Sequence, residues 1–293
     1  NFYRCPNEDA CLGNRYASLD DPKKGRCDTA NGYSGHLCSV CMEDFSAGAQ
    51  YTCAKCPEPV ANSFRLAAVF IVFIAFIVLL VRSTMKSAKK DKLLLSVYLK
   101  IFANYIQLFV LSSAFDVNWP QELRRFFILS DTVGSTSDQI LSIDCFLDRN
   151  QDPVLYQKLV AYALLPIIVV LISAVFWLAH GFFKKCLKEN MPKFISTVTI
   201  LLFIVHPGVT KMTFSLFSCR DFEDGTSYLA PDLSLECWGE QHKSWVFGLA
   251  LPALIIWSAG IPIAGIFALY RNRLYLSDYT IRLKYGFLFN GYK

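Results

Sequence analysis

Five nearly uncharged apolar runs, each 16 to 26 residues long, limit this chain more than any other feature: 66–81, 93–115, 154–179, 194–217 and 245–270. A helix rises about 1.5 Å per residue, so even the shortest run reaches about 24 Å against a hydrocarbon core of about 30 Å. Arg65 can snorkel at the outer end of that first run. The runs predict an all-α polytopic membrane protein with five transmembrane helices. A composition of 54% hydrophobic and 18% charged residues excludes disorder and departs from an ordinary soluble domain. The formal charge of +5 sits in short clusters beside the apolar runs, where topology explains it, so no nucleic-acid partner is expected. The chain has no initiator Met and reads as a trimmed product or as a stretch of something longer.

Cytoplasmic loops retain Lys and Arg, which sets the orientation. Segments 82–92, 181–193 and 271–293 together hold fourteen basic residues against three acids, Asp91, Glu189 and Asp278. The alternate segments are acidic. Loop 116–153 has three basic and seven acidic residues, loop 218–243 has two and six, and residues 1–63 have six and eight. The N-terminus is therefore expected outside and the C-terminus inside. The expected organisation is an extracellular cysteine-rich module at 1–63 and an anchor helix with a basic loop at 64–92. A four-helix bundle at 93–270 and an interfacial linker at 271–293 follow.

Cysteine placement is an independent check, because disulfides need an oxidising compartment. Cys5, Cys11, Cys27, Cys38, Cys41, Cys53 and Cys56 precede the first run, and Cys145, Cys219 and Cys237 fall in the two outer loops, while Cys186 is alone inside. Ten outer cysteines can all pair. Seven in the head is odd, so one of them is expected to reach Cys145, its identity open, while Cys219 pairs with Cys237. The two Cys-x-x-Cys pairs, Cys38/Cys41 and Cys53/Cys56, have the spacing of a zinc knuckle. The outside location and the three cysteines upstream favour disulfides, and no metal or other cofactor is expected.

The segment Gly32-Tyr33-Ser34-Gly35-His36-Leu37-Cys38, with Tyr51-Thr52-Cys53-Ala54-Lys55-Cys56-Pro57, resembles EGF-like and growth-factor-receptor-type cysteine-rich modules. A module this small buries little apolar surface, and crosslinks substitute for a core. Such modules act as spacers or adhesive surfaces, or as stalks that bind nothing. Further along stand Ser218-Cys219-Arg220-Asp221, Tyr228-Leu229-Ala230-Pro231-Asp232, Glu236-Cys237-Trp238 and His242. With Gly260-Ile261-Pro262 and Tyr285-Gly286-Phe287-Leu288-Phe289-Asn290-Gly291-Tyr292, these resemble a group of polytopic protist proteins. In that group EGF-like motifs lead into a helical bundle loosely similar to transient receptor potential-like channels. The resemblance implies a sensor-like bundle with 271–293 in the position of a linker to pore helices. The fifth run has no interior Arg or Lys, so voltage gating is not expected.

Ser96, Lys100, Asn104 and Gln107 share one face of the second run by helical spacing, and Ser196, Thr199, His206, Thr210 and Thr213 share one face of the fourth. Polar faces avoid lipid, so the two are expected to turn inward and meet. They form either a hydrated seam or a set of interhelical hydrogen bonds. His206 precedes Pro207, which frees the Phe203 carbonyl and bends the helix; the imidazole is a proton sensor or a neutral bonded group. Lys100 and Lys211 have no carboxylate in any run and are expected to snorkel. Asp221, Glu223, Asp224 and Asp232 could bind calcium, but Gly225 is one place early for an EF-hand and a solvated acidic loop is the simpler reading. Pro207, Gly260 and Pro262 are hinge candidates, with Gly260, Ala264 and Ala268 as a small-residue packing ridge.

No catalytic motif is present, and an enzyme is not expected. The reading is a non-enzymatic plasma-membrane or ciliary-surface protein that anchors a disulfide-rich ectodomain among lipid and other membrane or extracellular subunits. It would be the sensor-like half of a channel-type subunit, with a seven-span receptor or an anchor of an extracellular coat or filament as alternatives. Residues 1–293 by themselves are not expected to conduct ions.

Overall fold

The computed structural model describes residues 5–12, 27–47, 51–89, 94–113, 145, 153–184, 187–222 and 225–290. Most of loop 116–153, the acids Glu223 and Asp224, and Cys186 lie outside the described residues. The chain divides into two compact units. The first comprises Asn1–Phe70, Ser113–Lys158 and Ser215–Gly248, and the second Ile71–Ser112, Leu159–Phe214 and Leu249–Lys293.

In the first unit each head cysteine bonds to the next in sequence: Cys5 to Cys11, Cys27 to Cys38 and Cys41 to Cys53. The seventh, Cys56, bonds to Cys145, and Cys219 bonds to Cys237. Two short antiparallel ladders hang on these bonds. Strand β1 (Tyr33–Ser34) pairs with β2 (Val40–Cys41), and β3 (Phe45–Ala47) pairs with β4 (Cys53–Lys55). Among the described residues the head's apolar core is Ala10, Tyr33 and Cys38, flanked by Cys11, Cys27 and Cys53, so crosslinks carry what burial does not. Tyr33 is the centre of this core. Its phenol oxygen accepts from Asn7 Nδ2 at 3.2 Å and from the Cys53 N–H at 3.3 Å, tying the N-terminal turn to β4. Gly32, at φ +82°, begins the approach to β1, and a Cβ there would sit 2.3 Å from the Phe45 ring. Only glycine fits that turn.

The remaining strands of this unit form an antiparallel sheet of order β5 (Cys219–Asp221), β6 (Ser227–Leu229) and β7 (Asp232–Glu236). Leu229 and Leu233 are fully buried on its inner face, and the Cys219–Cys237 bond closes its two ends. Strand β7 lies beside β2, so head and loop form one body.

Four helices among the described residues are long and apolar enough to cross a membrane: Pro59–Ala88, Val154–Phe182, Asn190–Ser215 and Glu240–Arg271. They belong to α1 (Pro59–Lys89), α3 (Val154–Lys184), α4 (Leu187–Ser215) and α5 (Glu240–Arg271). The second apolar run forms α2 (Leu94–Ser113), and residues 93, 114 and 115 of that run lie outside the described residues. Helix α5 is irregular. It contains π-helical segments at Val246–Ala250 and Leu254–Ala259, with one α-helical turn at Leu251–Ala253 between them. A short helix α6 (Tyr279–Phe289) follows a 3₁₀ turn at Arg273–Tyr275.

The core of the second unit gathers Leu80 and Val81 of α1, Ile200 of α4 and Phe287 of α6. Leu99, Phe203, Ile204 and Leu288 pack around them, and Phe203 meets Phe287 edge to face with centroids 5.0 Å apart. Helix α6 is therefore part of this core. The basic residues of 271–293 suggest an interfacial element, but Leu283 and Phe287 fall one turn apart and bury a continuous apolar stripe.

Candidate functional site

Three polar residues of the second unit, Gln107, His206 and Lys100, donate to carbonyl oxygens of neighbouring elements. Gln107 Nε2 on α2 donates to the Ile204 carbonyl of α4 at 3.2 Å. His206 Nε2 on α4 donates to the Ser258 carbonyl of α5 at 3.1 Å. Lys100 Nζ on α2 donates to the carbonyls of Leu288 and Asn290 at 3.5 and 3.4 Å and lies 5.7 Å from the centre of the Phe287 ring. Three of the four acceptors sit where helix geometry releases them: Ser258 is four residues before Pro262, which has no N–H, and Leu288 and Asn290 are at the C-terminal end of α6, where a cation is favoured; Ile204 is next to Phe203, the residue whose carbonyl loses its donor at Pro207.

Lys100 thus finds partners inside the unit instead of snorkelling, because the open end of α6 is within reach of its four-carbon stem. It is 7% exposed. The second- and fourth-run faces meet through Gln107 and Ile204, with Leu99 packed on the Ile200 cluster. Not every seam residue joins that contact. Thr199 Oγ1 donates to the Ile195 carbonyl of its own helix, and Thr213 Oγ1 to those of Val209 and Thr210. Asn104 is half-buried, and the Ser96 side chain lies outside what is described. Ser196 is fully buried, and its Oγ, like Thr210 Oγ1 and Ser258 Oγ, has no hydrogen-bond partner among the described residues.

A second polar group on α3 and α4 has no counterpart in the sequence reading. Trp177 Nε1 donates to Thr197 Oγ1 at 3.1 Å, Lys193 Nζ donates to Asn190 Oδ1 at 3.3 Å, and Asn190 Nδ2 lies 3.2 Å from His180 Nδ1. Trp177 and His180 are three apart and Asn190, Lys193 and Thr197 follow at three and four, so helical spacing carried a signal on each helix separately.

In the first unit the contacts between head and loop are aromatic. The His36 ring stacks on Tyr228 with centroids 4.9 Å apart and meets Phe222 edge-on at 5.4 Å. Tyr51 donates its hydroxyl proton to the Ala230 carbonyl at 2.5 Å. His242 is buried with both nitrogens used: Nδ1 accepts from the Trp238 N–H at 2.8 Å, which leaves the proton on Nε2 to donate to the Leu216 carbonyl at 3.0 Å. None of these was visible from spacing, since Tyr51 and Ala230 are 179 residues apart.

Two of the four candidate calcium ligands, Asp221 and Asp232, are already engaged, and Glu223 and Asp224 lie outside the described residues. Asp221 accepts from Ser227 Oγ, and Asp232 accepts from the Ser234 N–H and hydroxyl at 3.0 and 2.6 Å. No group of three or more His, Cys, Asp or Glu side chains suited to a metal occurs among the described residues. Gly260 and Pro262 stand at the start of the last α-helical stretch of α5, immediately after the π segment.

No protein-family profile matches the chain, and no solved structure matches it. The chain is 24% identical to "Cysteine repeat modular protein A" of Toxoplasma gondii, over an alignment of 369 positions that takes in 99% of this chain and 11% of the relative. It spans about a tenth of that relative's length. The likeness to a cysteine-rich modular protein accords with the disulfide-rich N-terminal module, and with the apolar helices it fits a surface anchor.

Proposed function

We propose that this chain is a non-enzymatic, multi-pass surface protein whose helices hold a disulfide-rich unit on the extracellular side of a plasma or ciliary membrane. The observation that carries this reading is the division of labour between the two units. All ten bonded cysteines belong to the first, while the second is rich in outward-facing apolar side chains such as Ile71, Val72, Ile172, Val175, Ile263 and Ile266, each 62 to 69% exposed. Exposure of that kind is costly in water and natural in lipid. In this reading α2 is a fifth span, the basic segments 82–92, 181–193 and 271–293 face the cytoplasm, and the cysteine-rich side is oxidising. Partners are lipid and other membrane or extracellular subunits. A tag fused before Asn1 tests it: antibody should stain unpermeabilised cells and the protein should resist alkaline extraction. Staining confined to permeabilised cells contradicts it.

A sensor-like half of a channel-type subunit is the second reading, favoured by the cross-helix bonds to the Ile204 carbonyl and to the Ser258 carbonyl that Pro262 leaves without a donor, and by the seating of α6 in the core. With the cations Lys100 and Lys211 lacking carboxylates in any span, the fragment alone supplies no ion path. Selective single-channel currents from residues 1–293 in planar bilayers would overturn that part of the reading.

A further inference from the structure

The second π segment of α5, Leu254–Ala259, coincides with the place where a side chain from another helix takes one of its carbonyls. In a π turn the N–H of residue i bonds to the carbonyl of residue i−5, so the turn absorbs one residue more than an α turn. The Gly260 N–H reaches the Ile255 carbonyl in this way. Pro262 has no N–H, so the Ser258 carbonyl has no α-helical donor. His206 Nε2 fills that vacancy at 3.1 Å.

Two hydroxyls at this place are not settled. Ser258 Oγ, and Thr210 Oγ1 one turn beyond His206 on α4, are buried without a hydrogen-bond partner among the described residues. A helical Ser or Thr commonly bonds back to its i−4 carbonyl, as Thr199 and Thr213 do here. The local register is therefore fastened by one imidazole and leaves two groups unmatched. Small residues leave room for a change. A Cβ on Gly260 would come no nearer than 3.4 Å to the Ile255 carbonyl, and one on Gly265 would come 3.8 Å from Leu288.

We propose that α5 is a two-register element latched by His206. When the imidazole releases the Ser258 carbonyl, the π turn at Leu254–Ala259 relaxes to α-helix. Residues 260–271 then turn by about one residue, roughly 100° with about 1.5 Å of travel. The motion is a rotation of the last stretch of α5 about its own axis. That stretch leads through the 3₁₀ turn into α6, whose end is held by Lys100, so the rotation acts on the core element around Phe287. The inference rests on reading α5 as lipid-embedded.

The test uses the full chain in phosphatidylcholine nanodiscs with Cys186→Ser, leaving the other ten cysteines bonded, and spin labels on single cysteines introduced at 263–270. Oxygen and nickel-complex accessibilities give the phase of the lipid-facing side. In the native register Ile263, Ile266, Phe267 and Tyr270 are 62, 69, 61 and 65% exposed, so oxygen accessibility peaks there. In His206→Ala the peaks move one residue toward the N-terminus, to 265, 266 and 269. Pro262→Ala, which restores the missing N–H, produces the same shift with His206 in place. His206→Gln retains a donor and the native phase. An unchanged phase in both His206→Ala and Pro262→Ala overturns the two-register proposal. If the native chain shows no oxygen-accessible face at all, the membrane reading fails and this inference fails with it.

Discussion

Cys56 is bonded to Cys145, 89 residues away, with Pro57 and the start of α1 immediately after it. The bond fastens the end of the head to a loop that otherwise joins two helices. In the chain-entropy model a crosslink of this span restricts the unfolded ensemble by about 4 to 5 kcal/mol, against about 3 kcal/mol for the 18-residue separation of Cys219 and Cys237.

Removing both partners, Cys56→Ser with Cys145→Ser, should leave the other four disulfides intact in non-reducing peptide maps. Thermal unfolding should move down, and more than the same treatment of Cys219 and Cys237 moves it. An equal or smaller shift would show that the long bond does not constrain the chain.

Gly32→Ala should disable the head selectively. The backbone there has φ +82° and the new methyl would meet the Phe45 ring at 2.3 Å. A positive φ costs a non-glycine residue about 1 kcal/mol and overpacking a further ~1–3 kcal/mol. Peptide mapping should find scrambled or reduced pairs among Cys27, Cys38, Cys41 and Cys53, with Cys219–Cys237 unaffected. Native pairing at wild-type yield would contradict the tight turn.

Lys100→Met should loosen α6. The substitution keeps the stem and removes the ammonium that holds the Leu288 and Asn290 carbonyls. Amide exchange across 279–289 should accelerate by about tenfold or more, since hydrogen bonds from charged groups contribute about 1.5 to 3 kcal/mol. Lys100→Arg should be close to native. Unchanged exchange in Lys100→Met would remove its anchoring role.

Gln107→Leu should cost little. Interhelical side-chain bonds in membrane proteins average about 0.6 kcal/mol, so the unfolding midpoint in detergent should fall only slightly. A large loss would show that the Ile204 carbonyl depends on Gln107 alone.

The apolar runs were legible because lipid-scale stretches have almost no competing pattern: runs 66–81 and 154–179 fall within α1 and α3. Parity made Cys145 a partner for the head but could not choose among seven cysteines, and that choice depends on where Cys56 emerges, just before α1. Helical spacing placed Gln107 and His206 on inward faces. It could not identify their acceptors, because the Ile204 and Ser258 carbonyls are backbone groups on other helices, the second left without an α-helical donor by Pro262. The burial of Phe287 was hidden by the basic residues around it, and the His36–Tyr228 stack joins segments with no pattern in common.

The measurement that bears most directly on the surface-anchor account is thiol labelling on intact cells with a membrane-impermeant reductant followed by an impermeant maleimide. The account places ten cysteines outside, so Cys5, Cys11, Cys27, Cys38, Cys41, Cys53, Cys56, Cys145, Cys219 and Cys237 should label only after reduction, and Cys186 only after permeabilisation. Labelling of Cys186 on intact cells, with the head cysteines protected, would invert the topology and contradict the account.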